Sequence, residues 1–182
     1  MPETAAADTK FHSLLAEQVR NEFTASQQYL AIAVHFDGFD VPQLAGFFYR
    51  QAAEERDHAL MLVRYLLDRG IAVPIPGIPE VRNDFEGVRD AVAAALDFER
   101  EVTGQISALA AAARHEMDFL GEEFMSWFLK EQVEEVATMT TLLRVVDRAN
   151  GNLFDVEDFV SREMGPGGGD PTAPSPAGAP GN

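Results

Sequence analysis

The chain has 182 residues, 46% of them apolar, a formal charge of −16 and no cysteine. That length suits one ordinary domain with a substantial core. Without thiols, disulfides, zinc–thiolate sites, iron–sulfur clusters and thiol catalysis are excluded. The acidity argues against nucleic acid or an anionic membrane as partner and favours a role that attracts cations, plain solubility being the alternative. The N-terminal MPETAAADTK lacks the basic-then-apolar layout of a signal peptide, and no uncharged apolar run of about 18 residues occurs. The expectation is a soluble, cytoplasmic protein that spans no membrane.

Glycine and proline divide the chain into helices. None of either occurs from Asp8 to His35, which predicts a first long helix. Pro42 suits the first turn of a second, with Asp40 before it as a predicted cap and Gly70 as its stop. Pro74, Pro76, Gly77 and Pro79 rule out helix in the segment that follows. A third helix is predicted over Val88–His115. Asp118 caps a fourth that runs to Ala149, where Asn150-Gly151 stops it. Asn152 caps a short fifth through Arg162. From Gly165 onward the chain is nearly all Gly, Pro, Ala and Ser, and the expectation is disorder. The predicted organisation is an N-terminal extension over 1–8, one helical domain over 9–163 and a disordered tail over 164–182.

Linker lengths predict the topology. Very short connections join the first helix to the second and the third to the fourth, forcing antiparallel pairs. The connection between the second and third is long enough to run the length of a bundle whose helices each span about 40 Å. The expected fold is all-α: a four-helix bundle with one long crossover.

Stepping along each helix by four and three traces an inward stripe. The first stripe is Phe11, Leu15, Gln18, Glu22, Ala25, Tyr29, Ile32, Phe36. The second is Leu44, Phe48, Gln51, Glu55, His58, Leu62, Tyr65. The third is Val88, Val92, Ala95, Glu99, Val102, Ile106, Leu109, Ala113. The fourth is Met125, Phe128, Gln132, Glu135, Met139, Leu142, Val146. Each is apolar at both ends and carries a carboxylate near its middle, and the four depths agree to within about one helical turn. Carboxylates that converge in a core need protons or metal to offset the cost of burial. His58 follows Glu55 by three residues and so shares its face. Oxygen ligands with one imidazole and no thiolate disfavour copper(I) and structural zinc and favour iron or manganese, between which ligand type does not choose.

The segments NEFTASQQY (21–29), AAEERDHA (52–59), LDFEREVT (96–103) and WFLKEQVEEV (127–136) resemble those of bacterial non-haem ferritins, most closely actinobacterial ones, some of which are named bacterioferritins although they lack haem. The likeness spans about residues 9–163. The resemblance implies a ferritin-like bundle with a short fifth helix, and a ferroxidase that oxidises Fe(II) with O2 or hydrogen peroxide and stores a ferric mineral in a homo-oligomeric shell of 24 subunits. It implies that Glu22, Glu55 and His58 hold a first iron, with Glu55 bridging, and that Glu99 and Glu135 hold a second with Gln132 nearby. Tyr29 matches the tyrosine beside such centres and is the candidate catalytic residue, as electron donor or hydrogen-bond partner of the site. Glu54, Glu131 and Glu134 match a third iron site that shares Glu135. Haem-binding relatives carry a second Glu-x-x-His on the fourth helix and a methionine after the second-helix glutamate. This chain has Gln132-x-x-Glu135 and Arg56 there, so no haem is expected.

Taken alone, Tyr29 also reads as a core residue, and Glu54, Glu131 and Glu134 as a solvated face. Glu122 and Glu123 are candidate channel residues, an ordinary helix end being the plainer reading. A rubrerythrin-like peroxidase needs cysteines that are absent, and a DNA-protecting mini-ferritin usually builds its site between subunits. A di-manganese catalase remains open on ligand type, as does a metal-free scaffold.

Overall fold

The computed structural model describes residues 9–167 and 170–179. Five helices follow in order: α1 (Lys10–Gly38), α2 (Pro42–Asp68), α3 (Val88–His115), α4 (Phe119–Ala149) and α5 (Leu153–Glu163). No strand occurs among the described residues. The α1 helix packs on α2 and on α3, α3 packs on α4, and α5 closes one end against α2 and α4. The fourth side of this bundle is wider: the α2 and α4 backbones stand farther apart and meet through long side chains, among them the Tyr65 and Phe124 rings, stacked at 4.3 Å.

Capping explains the helix boundaries. Thr9 accepts from the His12 amide at 3.2 Å, Asp118 from Gly121 at 3.0 Å and Asn152 from Phe154 at 3.2 Å, each satisfying a first-turn donor. The α4 helix ends on Asn150 in the left-handed region, and Gly70 takes the same region just after α2. Asp40 departs from expectation. It adopts φ +56° to reverse the chain between α1 and α2, and Val41, which makes no side-chain cap, precedes the helix instead. The orphan amides of α2 are taken by α5: Glu157 accepts from Gln43 at 2.8 Å and from Leu44 at 2.9 Å. The Glu116 carboxylate likewise meets the Phe11 amide at the start of α1, at 3.3 Å.

The crossover runs along α1 without regular structure. The Gln28 side chain brackets the Arg82 backbone, donating to its carbonyl at 2.8 Å and accepting from its amide at 2.9 Å. Arg82 also pairs with Asp90 and lies over the Phe85 ring at 4.7 Å.

Within the predicted tail, residues 170–179 dock on the helices, while the predicted extension over 1–8 and residues 168, 169 and 180–182 lie outside the described residues. Asp170 accepts from the Trp127 indole at 2.9 Å, the Ala177 amide donates to the Leu60 carbonyl at 3.0 Å, and Ala173 and Ala177 pack on the core. Small residues and proline let this segment lie flat on the helices, so a composition that forms no core of its own still docks on one. Composition alone could not separate these outcomes.

Every residue of the four stripes is buried except Tyr65, which is half-buried. Their apolar members form two clusters, one at each end of the bundle. Tyr29, Phe36, Phe48, Val92 and Leu142 belong to the first, and Phe11, Leu62, Ile106, Met125 and Phe128 to the second. Gly121 shows how closely the second is packed. A Cβ there would lie 2.4 Å from the Phe11 ring, itself fully buried. Gly121→Ala is therefore expected to destabilise by about 1–3 kcal/mol through overpacking, read as a lower thermal midpoint.

Candidate metal centre

The polar stripe positions fall between the two apolar clusters. Gln18, Glu22, Gln51, Glu55, His58, Glu99, Gln132 and Glu135 are all buried, Glu99 completely. All four long helices contribute, so bundle geometry rather than any loop places them.

Glu22, Glu55 and His58 form a fully buried group, with one ligand atom of each within 4.8 Å of the others. His58 Nδ1 lies 3.1 Å from Glu55 Oε2. On the facing side the Tyr29 hydroxyl donates a very short bond to Glu99 Oε1, and Gln132 Nε2 donates to Glu99 Oε2 at 3.3 Å. Glu135 stands close enough to Glu55 and Glu99 for each charge to act on the others.

Neighbouring polar groups orient these side chains. The Gln18 amide donates to Glu22 Oε1 at 2.8 Å, while its own oxygen accepts from Asn21 at 3.1 Å, fixing which end faces the carboxylate. Asn21 is anchored in turn to Gln105 of α3 at 3.1 Å. Thr103 lies 2.8 Å from the Gln132 oxygen and so turns that amide's nitrogen toward Glu99. Gln18 and Gln51 stand out in sequence as polar residues on core stripes. Asn21, Thr103 and Gln105 lie off the stripes, and their roles carry no sequence signal.

The electrostatics follow from burial. Loss of solvent, reinforced by the Glu55 charge, pushes the Glu22 carboxyl up to about 8. Loss of solvent raises Glu99 to about 7, the Tyr29 hydrogen bond opposing it. Glu55 and Glu135 rise well above the carboxylate range, by burial first and then by the Glu99 charge. Burial and the same carboxylates keep the Tyr29 phenol protonated and able to donate. A cation would remove this penalty, since it lets all four carboxylates ionise together. Glu22 Oε2 is buried with no hydrogen-bond partner, so an acceptor already faces the space a metal would fill.

A second group surrounds the same imidazole. Glu54, His58 and Glu131 place ligand atoms within 4.8 Å of one another, with Glu54 exposed and Glu131 half-buried. Glu134 is exposed and lines the same groove but lies outside this group. The groove measures about 1050 Å³ and follows the gap between α2 and α4. Trp127 meets the His58 ring edge-on at 5.6 Å. Glu122 accepts from Arg114 at 2.8 Å, an ordinary pair at a helix end. No described helix is long and apolar enough to cross a membrane.

Residues 12–149 match the ferritin-like domain. The chain is 66% identical over 178 residues to Ferritin BfrB of Mycolicibacterium smegmatis, covering 98% of each protein. It is 58% identical over 180 residues to Bacterioferritin BfrB of Mycobacterium tuberculosis, covering 99% of this chain and 96% of that one. A bacterial non-heme ferritin of Staphylococcus aureus is 34% identical over 140 residues, covering 75% of this chain and 84% of its own. Among solved structures, an open-pore ferritin from Archaeoglobus fulgidus superposes with a TM-score of 0.82 over 87% of this chain and 99% of its own, and at 24% identity that likeness speaks for the fold alone. A bundle with one long crossover, a carboxylate on every inward stripe and these relatives lead to one conclusion: the chain belongs to the ferritin family.

Proposed function

We propose that this protein stores iron, oxidising Fe(II) at a di-iron ferroxidase centre inside each subunit and mineralising the ferric product within a hollow homo-oligomeric shell. The observation that carries the reading is the buried layer itself. Four long helices bring carboxylates to one level around a single imidazole, with Glu22 Oε2 left unpaired.

In this reading Glu22, Glu55 and His58 hold the first Fe(II). Glu99 and Glu135 hold the second, with Gln132 beside it and Glu55 between the two. Each Fe(II) gives up one electron. O2 takes both electrons with two protons to become hydrogen peroxide, or hydrogen peroxide takes both with two protons to become two waters. Hard carboxylate oxygens favour the harder Fe(III) product. Tyr29, held on Glu99, acts on the second position by fixing that carboxylate's direction. The second position offers amide and carboxylate oxygens where a di-histidine centre has another nitrogen, which favours release of the product. Glu54, Glu131 and Glu134 form a third, outer iron site along the groove, with His58 and Glu135 at its inner edge. With Arg56 after Glu55 and no histidine on α4, haem has no place in the scheme.

Exposed apolar residues support assembly. Met117, Phe119 and Leu120 at the α3–α4 turn are each at least 70% exposed, and Phe154 on α5 is 88% exposed. Leu30 and Val34 on α1 and Ile75 and Ile78 on the crossover are also exposed. So much apolar surface in one subunit suits burial against other copies. The family supports a shell of 24 subunits in the cytoplasm.

Electron microscopy of the purified protein, combined with bound-metal analysis, tests the proposal. The expected outcome is a hollow particle whose centre fills with a rust-coloured ferric core after Fe(II) is added in air. A manganese-loaded protein that rapidly disproportionates hydrogen peroxide and forms no core would replace this reading with the catalase one.

A further inference from the structure

The docked tail brings a carboxylate to the groove that Glu54, His58 and Glu131 line. Asp170 Oδ2 accepts from Trp127 Nε1 at 2.9 Å, and Oδ1 accepts from the Thr172 amide at 2.8 Å. The Thr172 hydroxyl lies 2.8 Å from Oδ1 and 2.7 Å from Oδ2. Asp170 is therefore held by donors, lines the α2–α4 groove and is close enough to Glu131 for its charge to act there. The same indole that holds Asp170 stands edge-on to His58. One aromatic side chain thus links the tail carboxylate to the imidazole shared by both ligand groups.

Two further observations mark this part of the groove as a place for a cation. Gln51, 7% exposed, lines the groove and donates to Glu54 at 2.8 Å, yet its own Oε1 is buried without a partner. No arginine or lysine forms an ion pair with Glu54, Glu131, Glu134 or Asp170 among the described residues, although Lys130 lies within electrostatic range of Asp170. Glu54 and Glu131 place carboxylate oxygens within 4.8 Å of each other and of the His58 ring, while Asp170 lines the same groove outside that spacing, so a shift of the tail would complete a carboxylate donor set for a first-row divalent cation.

We propose that Asp170 is a ligand that the C-terminal segment lends to Fe(II) held by Glu54 and Glu131, and that Trp127 keeps this carboxylate at the groove while no metal is bound. The proposal rests on reading the groove as an iron site. When metal arrives, Asp170 exchanges the indole N–H for the cation, so the tail becomes part of the coordination shell. A segment outside the four-helix bundle thereby helps to hold iron at the mouth of the buried centre.

Zinc(II), which neither oxidises nor reduces here, is the probe. Metal-free full-length protein is titrated with zinc(II) and followed by calorimetry and by the fluorescence of Trp127, the single tryptophan of the chain. Filling the outer site in the wild type is expected to change the indole emission. Asp170→Asn keeps an oxygen to accept from Trp127 and so preserves the docking. It is expected to weaken outer zinc binding by about tenfold or more, to abolish the emission change and to leave the tighter buried binding as it was. Glu54→Gln separates the two levels of the claim. If it loses outer zinc while Asp170→Asn binds like the wild type, the groove remains a metal site and the role of Asp170 is overturned. If Glu54→Gln itself binds zinc with wild-type stoichiometry and affinity, the groove is not a metal site and both readings fall.

Discussion

Replacing Glu22 or His58 with alanine is expected to abolish fast Fe(II) oxidation while the shell still assembles. Each belongs to the buried Glu22–Glu55–His58 group, and each occupies a position no neighbour can fill: Glu22 is the α1 carboxylate of the layer, and His58 is its one imidazole. Losing a group that merely orients a ligand typically costs 10–100-fold in metal affinity or activity, so losing a ligand should cost about a hundredfold or more. Assembly should survive because the apolar clusters above and below the layer contain neither residue. His58→Ala does remove ring contacts with Trp127 and Phe128, at 5.6 and 5.7 Å, so it should also cost some thermal stability. Glu22→Ala removes a carboxyl that resists ionisation and should cost less. Stopped-flow absorbance after mixing with Fe(II) in air reads the rate, and size-exclusion chromatography reads the assembly. Wild-type rates in either variant would remove that residue from the centre.

Metal-free protein is expected to lose stability as pH rises from about 5 to 8, and metal-loaded protein is not. An ordinary carboxyl titrates near 4.5, whereas Glu22 is pushed up to about 8 and Glu99 to about 7 by burial. Below 4.5 these groups are protonated in the folded and unfolded chain alike, and they make no difference. Between 4.5 and the folded values the unfolded chain has released protons that the folded chain still holds, so rising pH favours unfolding. The loss is complete once pH passes the folded value, and with four carboxyls raised in the same direction it should reach several kcal/mol. A bound cation replaces those protons and removes the slope. Thermal midpoints of chelator-treated protein at several pH values provide the measurement. Glu22→Gln should flatten the fall, and an unchanged slope in that variant would mean that other groups cause it.

Much of the architecture is legible in the residues. A buried helix face must repeat every three to four positions, so the stripes and their central carboxylates can be found without coordinates, and Glu99, on a stripe otherwise made of Val, Ala, Ile and Leu, is fully buried as that pattern requires. What escaped depends on contacts between distant parts of the chain. Asp40 carries the local signature of a cap, but a left-handed turn occupies it and Glu157, from the last helix, does the work. The Asn21–Gln105 bond joins α1 to α3 through residues off every inward stripe. The docking of Asp170 and Ala177 needs no local propensity, only a groove of the right shape, so a Gly/Pro-rich composition could not reveal it. Glu134 matches a family position and lines the same groove, but stands outside the Glu54–His58–Glu131 group.

The gap between α2 and α4 has a consequence for traffic. The groove there opens the charged layer to water beside His58 and Glu135. Cations on their way in and protons on their way out can share it. Loading by this route amounts to an ion exchange, in which each arriving metal expels acid along the path it came by.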